Sequence, residues 1–302
     1  MTSSLLSVLV ALPFIAGITG CASSAAQAPS VASSGPAAAT SAPSSAPAMR
    51  AVSGSELGEH IHNLAFDGPT LLLGTHEGLW SQRPGQAPTQ ISQRSFDVMG
   101  FARTDSRWLA SGHPAPDEDG PGDLGLLQST DSGVTWQEVS LSGEVDFHRI
   151  TATGDRIFGI SSADDSLLRS DDSGATWTNL GSPGLFDIAV DPDNPNTLMG
   201  TTADGLLLST DAGVSFAPLA TPSLIALLAW TADYVVGADA DGRILTSSDG
   251  GSAWESLATL PEPPAALAAD GSRIAVLAGP TVYESVDGGK SFTERITEIS
   301  GH

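Results

Sequence analysis

Cysteine is almost absent from this 302-residue chain: Cys21 stands alone, so no disulfide can form within one molecule. Basic residues are scarce as well, with 12 Lys and Arg against 35 Asp and Glu and a formal net charge of -23 at pH 7. A surface of that sign repels nucleic acid and anionic lipid headgroups, so a nucleic-acid partner is not expected. No basic stripe, P-loop or dinucleotide fingerprint appears in the sequence. The apolar run from Leu5 to Gly17 is shorter than the ~20 residues a membrane span needs. Between Met1 and Cys21 there is no Lys or Arg at all.

That apolar run leads into Ile18-Thr19-Gly20-Cys21, an ending that resembles a bacterial lipobox. The resemblance implies an export signal over residues 1–21, with Cys21 acylated as the first residue of the mature protein. A secretory n-region is normally basic, so the true start of translation is expected upstream of Met1. Residues 22–55 are almost entirely Ala, Ser and Pro, with Arg50 as their one charge. Such a segment cannot bury a core and is read as a disordered tether. The expected placement is on the outer face of the cell membrane, or its periplasmic side, held there by the lipid anchor.

Beyond the tether the sequence repeats. Ser-x-Asp-x-Gly-x-Thr-Trp and close variants occur at Ser129–Trp136, Ser170–Trp177, Ser209–Phe216, Ser247–Trp254 and Ser285–Phe292, with leading serines 41, 39, 38 and 38 residues apart. A period of about 40 residues with short alternating apolar runs has room for four strands and three turns, which is one propeller blade. The repeats are identified as Asp-boxes, also called BNR repeats. In each copy the aspartate can accept hydrogen bonds from nearby backbone N–H groups, the glycine can take a positive φ and the aromatic can pack on the blade. Asp131, Asp172, Asp211, Asp249 and Asp287 are therefore read as scaffold.

A sixth unit lies upstream without an intact box. Gly78-Leu79-Trp80-Ser81 matches the approach to the later boxes, with Arg83 in place of the aspartate and Gly85 keeping the glycine. The excess length of the second unit falls in the Pro- and Asp-rich stretch His113 to Asp123. Residues 56–298 then divide into six units, giving an all-β, six-bladed β-propeller with Asp-box hairpins in blades 2 to 6 and a short tail at 299–302. The cluster Asp117-Glu118-Asp119 with Asp123 lacks an EF-hand ligand pattern and reads as a solvated loop. Asp191 to Asn196 reads as a turn.

With strands A to D numbered outward from the axis, the box sits at the C to D turn, and the D to A and B to C loops open on the opposite face. Five of the six histidines fall on that opposite face, in blades 1 to 3. Aligned by their apolar positions, the A strands give His60-x-His62, Asp97-x-Met99 and Asp146-x-His148. Residues i and i+2 of a strand share a face, so these six side chains are expected at the channel mouth together. His76 and His113 fall at the B to C turns on the same rim. Imidazole with thioether favours copper, particularly Cu(I), whereas imidazole with carboxylate suits zinc. The expected ligand set is His60, His62, Met99 and His148, with Asp97 and Asp146 supporting the histidines or binding a harder ion directly. Polar channel residues bonded to water, with Met99 as packing, are the alternative.

The lipobox, tether and box repeats together look like a group of exported bacterial propellers labelled glycosyl hydrolase or exo-sialidase-like. Gly58-Glu59-His60-Ile61-His62, Ser111-Gly112-His113-Pro114 and Asp146-Phe147-His148 carry the likeness most specifically. Sialidases, photosystem assembly factors and sortilin-type receptors share the box without sharing chemistry. The sialidase apparatus of three arginines, a Tyr/Glu nucleophile pair and an aspartic acid is not matched. There are two tyrosines, Tyr234 and Tyr283, no Arg-Ile-Pro motif, and Arg149 is expected on the opposite side of its strand from His148. Another glycosidase would need Asp97 and Asp146 as its carboxylate pair, with Glu59 and Glu144 nearby. The reading is a binding or accessory propeller with a His/Met metal site. Glycosyl hydrolysis and protein docking are its alternatives, and its partners are a metal ion, a glycan or an extracytoplasmic protein.

Overall fold

The computed structural model describes residues 51–300 except Glu59 and Asp117. The export signal, Cys21 and nearly all of the tether lie outside the described residues, as do Glu59, Asp117 and His302. Six sheets, antiparallel except for one added strand, follow one another along the chain, and no helix occurs among the described residues. Their first strands are Ile61–Asp67, Phe96–Arg103, Phe147–Thr153, Asp187–Val190, Ile225–Trp230 and Pro264–Asp270. Each first strand touches the next, and the sixth touches the first, so the six ring a central channel. This is the six-bladed propeller.

The second strand of each blade is packed on both faces by neighbouring blades, which explains its continuous apolar reading. Thr70–Thr75 and Arg156–Ser161 are buried at every position after the first. Fourth strands such as Gln137–Ser140 alternate little and stay largely in water. The core is therefore a set of layers between blades. Leu72 and Leu79 of blade 1 meet Phe96 and Val98 of blade 2, and Phe158 and Leu167 of blade 3 meet Leu185 and Ile188 of blade 4.

The ring closes with a strand the sequence reading placed in the tether. Val52–Ser53 pairs in parallel with the last strand, Thr293–Thr297, in the register Val52 to Ile296 and Ser53 to Thr297. The Gly54 N–H donates to the Thr297 carbonyl at 2.7 Å, and Leu57 and Ile299 are both buried. The folded domain thus exceeds 56–298 at both ends, because joining blade 6 to the start of the chain covers an open sheet edge.

In the repeated turns each serine and aspartate tie the hairpin. Ser129 Oγ donates to Asp131 Oδ1 at 2.8 Å and accepts the Gly133 N–H at 2.8 Å, while Thr135 donates its N–H and its hydroxyl to the Asp131 carboxylate at 2.9 and 2.6 Å. The turns at Asp172, Asp211 and Asp287 repeat this, and that at Asp249 lacks the hydroxyl because Ala253 stands there. The turn glycine also meets the preceding blade: a Cβ on Gly174, at φ +92°, would lie 2.2 Å from Leu126.

Blade 1 departs from the expected alignment by one residue. Leu71 pairs with Gln82 as Trp108 pairs with Ser129, so Gln82, not Ser81, holds the serine position. Its amide donates to the carbonyls of Arg83 and Gln86 at 2.7 and 2.8 Å. Arg83 and Gly85 are consequently not the counterparts of the aspartate and glycine.

Candidate metal site at the channel mouth

Five of the six inner strands are interrupted at one register. The bulged residues are His62, Met99, His148, Ala226 and Ala265. A bulge leaves its residue out of the ladder and re-aims the side chain, so these positions differ from the rest of the strand. In blades 1 to 3 they carry His, Met and His. The residue just before the paired position preceding the bulge is His60, Asp97 and Asp146, as the sequence alignment anticipated.

The side chains gather into two groups rather than one. His62, His76 and Asp97 place three donor atoms within 4.8 Å of one another, and so do His113, Asp146 and His148. In the first, His76 Nδ1 donates to Asp97 Oδ2 at 2.8 Å and His62 Nε2 stands 3.5 Å from Asp97 Oδ1. In the second, His148 Nε2 and His113 Nε2 approach Asp146 Oδ2 at 2.8 and 3.3 Å. His113 Nδ1 donates to the Gly122 carbonyl at 2.9 Å, which fixes the ring from the inserted loop of blade 2. Asp146 is 1% exposed whereas His148 is 46% exposed, so the carboxylate forms the floor and the imidazoles face the mouth.

The expected ligand set is therefore rearranged. His76 and His113, expected only on the rim, are direct neighbours of the two carboxylates. His60 belongs to neither group and instead stands edge-on to His76, ring centres 5.3 Å apart. Met99 occupies the blade 2 bulge, half-buried, with its carbonyl accepting Asn63 Nδ2 at 2.8 Å.

Electrostatics follow the contacts. Burial pushes the Asp97 carboxyl up, but the close approach of His62 and the hydrogen bond and charge of His76 outweigh burial and hold it below its usual range. The hydrogen bond to Asp146 raises His148 against the opposing effect of burial, and the charge of Asp97 adds to the rise. Asp97 thus acts on both groups.

Below the mouth the channel encloses about 590 Å³ between the inner strands. Arg149 lines it and His148 does not. Arg149 Nε lies 3.2 Å from Asp187 Oδ1, and the Leu228 N–H donates to Asp187 Oδ2 at 2.8 Å. Burial raises the Asp187 carboxyl despite Arg149. The sequence reading missed Asp187, whose only signal is an acid opening the apolar run Ile188-Ala189-Val190. The mouth changes character past blade 3. Phe186 and Leu224, which precede the inner strands of blades 4 and 5, are 61% and 51% exposed.

No family model matches the chain, and no curated protein does. Solved structures match it in fold. The crystal structure of a nidogen/laminin complex is 14% identical at a TM-score of 0.60, over 78% of this chain and 100% of that one. The WD40 β-propeller domain of Doa1 is 11% identical at a TM-score of 0.55, over 78% and 81%. An ancestral GH74 enzyme is 14% identical at a TM-score of 0.51, over 81% of this chain and 39% of that one. At these identities the likeness is one of fold alone.

Proposed function

We propose that the chain is an exported, lipid-anchored propeller that works by binding, and that its ligand is a transition-metal ion held at the histidine and carboxylate rim of blades 1 to 3. Export and anchoring rest on the sequence from Leu5 to Cys21. The observation that carries the metal reading is the convergence of His62, His76 and Asp97, and of His113, Asp146 and His148, on donor separations within 4.8 Å. Nitrogen and oxygen donors of this kind suit zinc or another borderline divalent ion better than Cu(I), which prefers sulfur. We therefore propose zinc or a similar ion, where the sequence led us to expect copper with Met99.

Glycoside hydrolysis is less well supported. A glycosidase needs one carboxylic acid held protonated beside an ionised partner; Asp97, held below its usual range by two imidazoles, fits only the ionised role, and both Asp97 and Asp146 are occupied by histidines. Docking of a protein partner is the second reading, favoured by the exposed Phe186 and Leu224 on the far half of the mouth.

Calorimetric titration of the purified protein with Zn²⁺ tests the proposal. Saturable heat is expected in the wild type and none in a His62→Ala/His148→Ala double variant. Absence of binding in the wild type overturns it.

A further inference from the structure

The two donor groups share one histidine and aspartate pair, repeated from blade to blade. Thr75 pairs with Ile61 and Gly112 pairs with Val98, so His76 and His113, each the next residue, hold the same position in blades 1 and 2. Phe147, paired with Ser161, is the blade 3 counterpart of Val98, so Asp97 and Asp146 are equivalent as well. A histidine of one blade thus meets an aspartate of the next, at the junction of blades 1 and 2 and again at blades 2 and 3. The third donor is a bulged histidine from a different side of the junction in each case: His62 shares blade 1 with His76, whereas His148 shares blade 3 with Asp146, and the counterpart of His62 in blade 2 is Met99.

The remaining positions show that the fold does not need this pair. Ser162, Ala240 and Gly279 take the histidine position in blades 3, 5 and 6, and Leu224 and Pro263 take the aspartate position in blades 5 and 6. Those blades join without it.

Each group also leaves a donor atom unused. His62 Nε2, Asp97 Oδ1 and Asp146 Oδ1 are buried and make no hydrogen bond. A buried carboxylate oxygen without a partner is costly unless a cation serves it. At His113 the Nδ1–H is taken by the Gly122 carbonyl, so the neutral ring turns an Nε2 lone pair toward the Asp146 carboxylate 3.3 Å away. Two acceptors in that arrangement attract either a proton or a metal, and a backbone carbonyl on the second nitrogen is the usual support of a metal-bound histidine. The separations of 3.3 Å here and 3.5 Å from His62 to Asp97 are close to the tetrahedral ligand spacing of a zinc site, about 3.3 Å, while His76–Asp97 and His148–Asp146, hydrogen-bonded at 2.8 Å, must give up that contact and open slightly to take an ion.

We infer that the mouth holds two divalent metal ions rather than one, the first on His62, His76 and Asp97 and the second on His113, Asp146 and His148. Each site has two imidazoles and one carboxylate, a zinc-class set that leaves a fourth position for an outside donor. This inference rests on the metal-binding reading above and adds the number of sites and the identity of each. Met99 fills the intervening bulge of blade 2 and belongs to neither proposed ligand set.

Native mass spectrometry of the full chain with Zn²⁺ decides between the possibilities. The expected result is two ions per wild-type molecule, one in His76→Ala, one in His113→Ala and none in the double variant. Both histidines are well exposed at 44% and 42%, and unchanged circular dichroism in each variant separates loss of a ligand from loss of the fold. A single ion in the wild type overturns the two-site inference and leaves the metal reading standing. Loss of both ions in either single variant also overturns it, because the sites would not be separate. No ion at all removes both readings.

Discussion

Arg295 Nη1 donates to Glu284 Oε1 at 2.9 Å, and both side chains are almost wholly out of water. Arg295 also donates to the side chain and carbonyl of Gln82 at 2.6 and 2.7 Å, so blade 6 grips blade 1 where blade 1 lacks a repeated turn. Elsewhere the turn glycine packs on the preceding blade, and here a charged network does the joining.

Removing Glu284 should expose the weakness of that arrangement. Glu284→Ala leaves Arg295 as a buried charge without its carboxylate, a loss worth about 3–5 kcal/mol. Arg273, which pairs with the same oxygen, also has access to water at 18% exposure, so Arg273→Ala should cost much less. Urea unfolding reads both. Equal midpoints for the two variants would show that Arg295 does not depend on Glu284.

The turn glycines offer a second test, with an internal control. Alanine at Gly174 would need φ +92° and would place its Cβ 2.2 Å from Leu126, so the blade 2 to blade 3 contact must open. We expect a loss of more than about 1 kcal/mol. Gly85 has φ +73° but nothing within 4 Å, so Gly85→Ala should cost only the backbone term, about 1 kcal/mol. Thermal unfolding should rank Gly174→Ala well below Gly85→Ala.

Acid behaviour follows from the same turns. Asp131, Asp172, Asp211 and Asp287 are lowered from 3.8 to about 2, chiefly by the hydroxyl of the residue four positions on. A carboxyl whose folded pKa is depressed stabilises the fold fully above its unfolded value. That contribution is lost as pH falls through the folded value, so it should disappear between about pH 4 and pH 2. Asp249 faces Ala253 and is lowered mainly by the Ala253 N–H. Ala253→Thr should add the missing donor and bring Asp249 toward the other four in a carboxyl-detected NMR titration. An unmoved Asp249 would show that the added hydroxyl does not reach it.

Much of the fold was legible because turn chemistry repeats. Five copies of a serine, an aspartate and a glycine at fixed offsets, with the boxless unit at Gly78-Leu79-Trp80-Ser81 upstream, give six blades without any long-range knowledge. The reading slipped at Gln82, since only pairing with Leu71 reveals that a glutamine amide replaces the serine. Val52–Ser53 was hidden because a two-residue strand has no period of its own and exists only through Ile296 and Thr297. At the mouth, the histidines and carboxylates were found from strand register, but their grouping was not. Bulges at His62 and His148 re-aim side chains that simple alternation assigns elsewhere.

That regrouping makes Met99 and His60 the decisive residues for the chemistry of the rim. If sulfur were a ligand, Met99→Leu would keep the volume and remove the donor, and metal affinity would fall by far more than the ~10–100-fold cost of losing a supporting contact. Neither donor group includes His60, which stands edge-on to His76. Competition against a chromogenic zinc chelator should therefore find Met99→Leu and His60→Ala within about threefold of the wild type, less than a lost supporting contact. Asp146→Asn in the same assay should abolish one of the two binding steps, because a neutral amide cannot replace the buried carboxylate between His113 and His148. A large loss in Met99→Leu with little change in Asp146→Asn would return the site to a sulfur-bound ion.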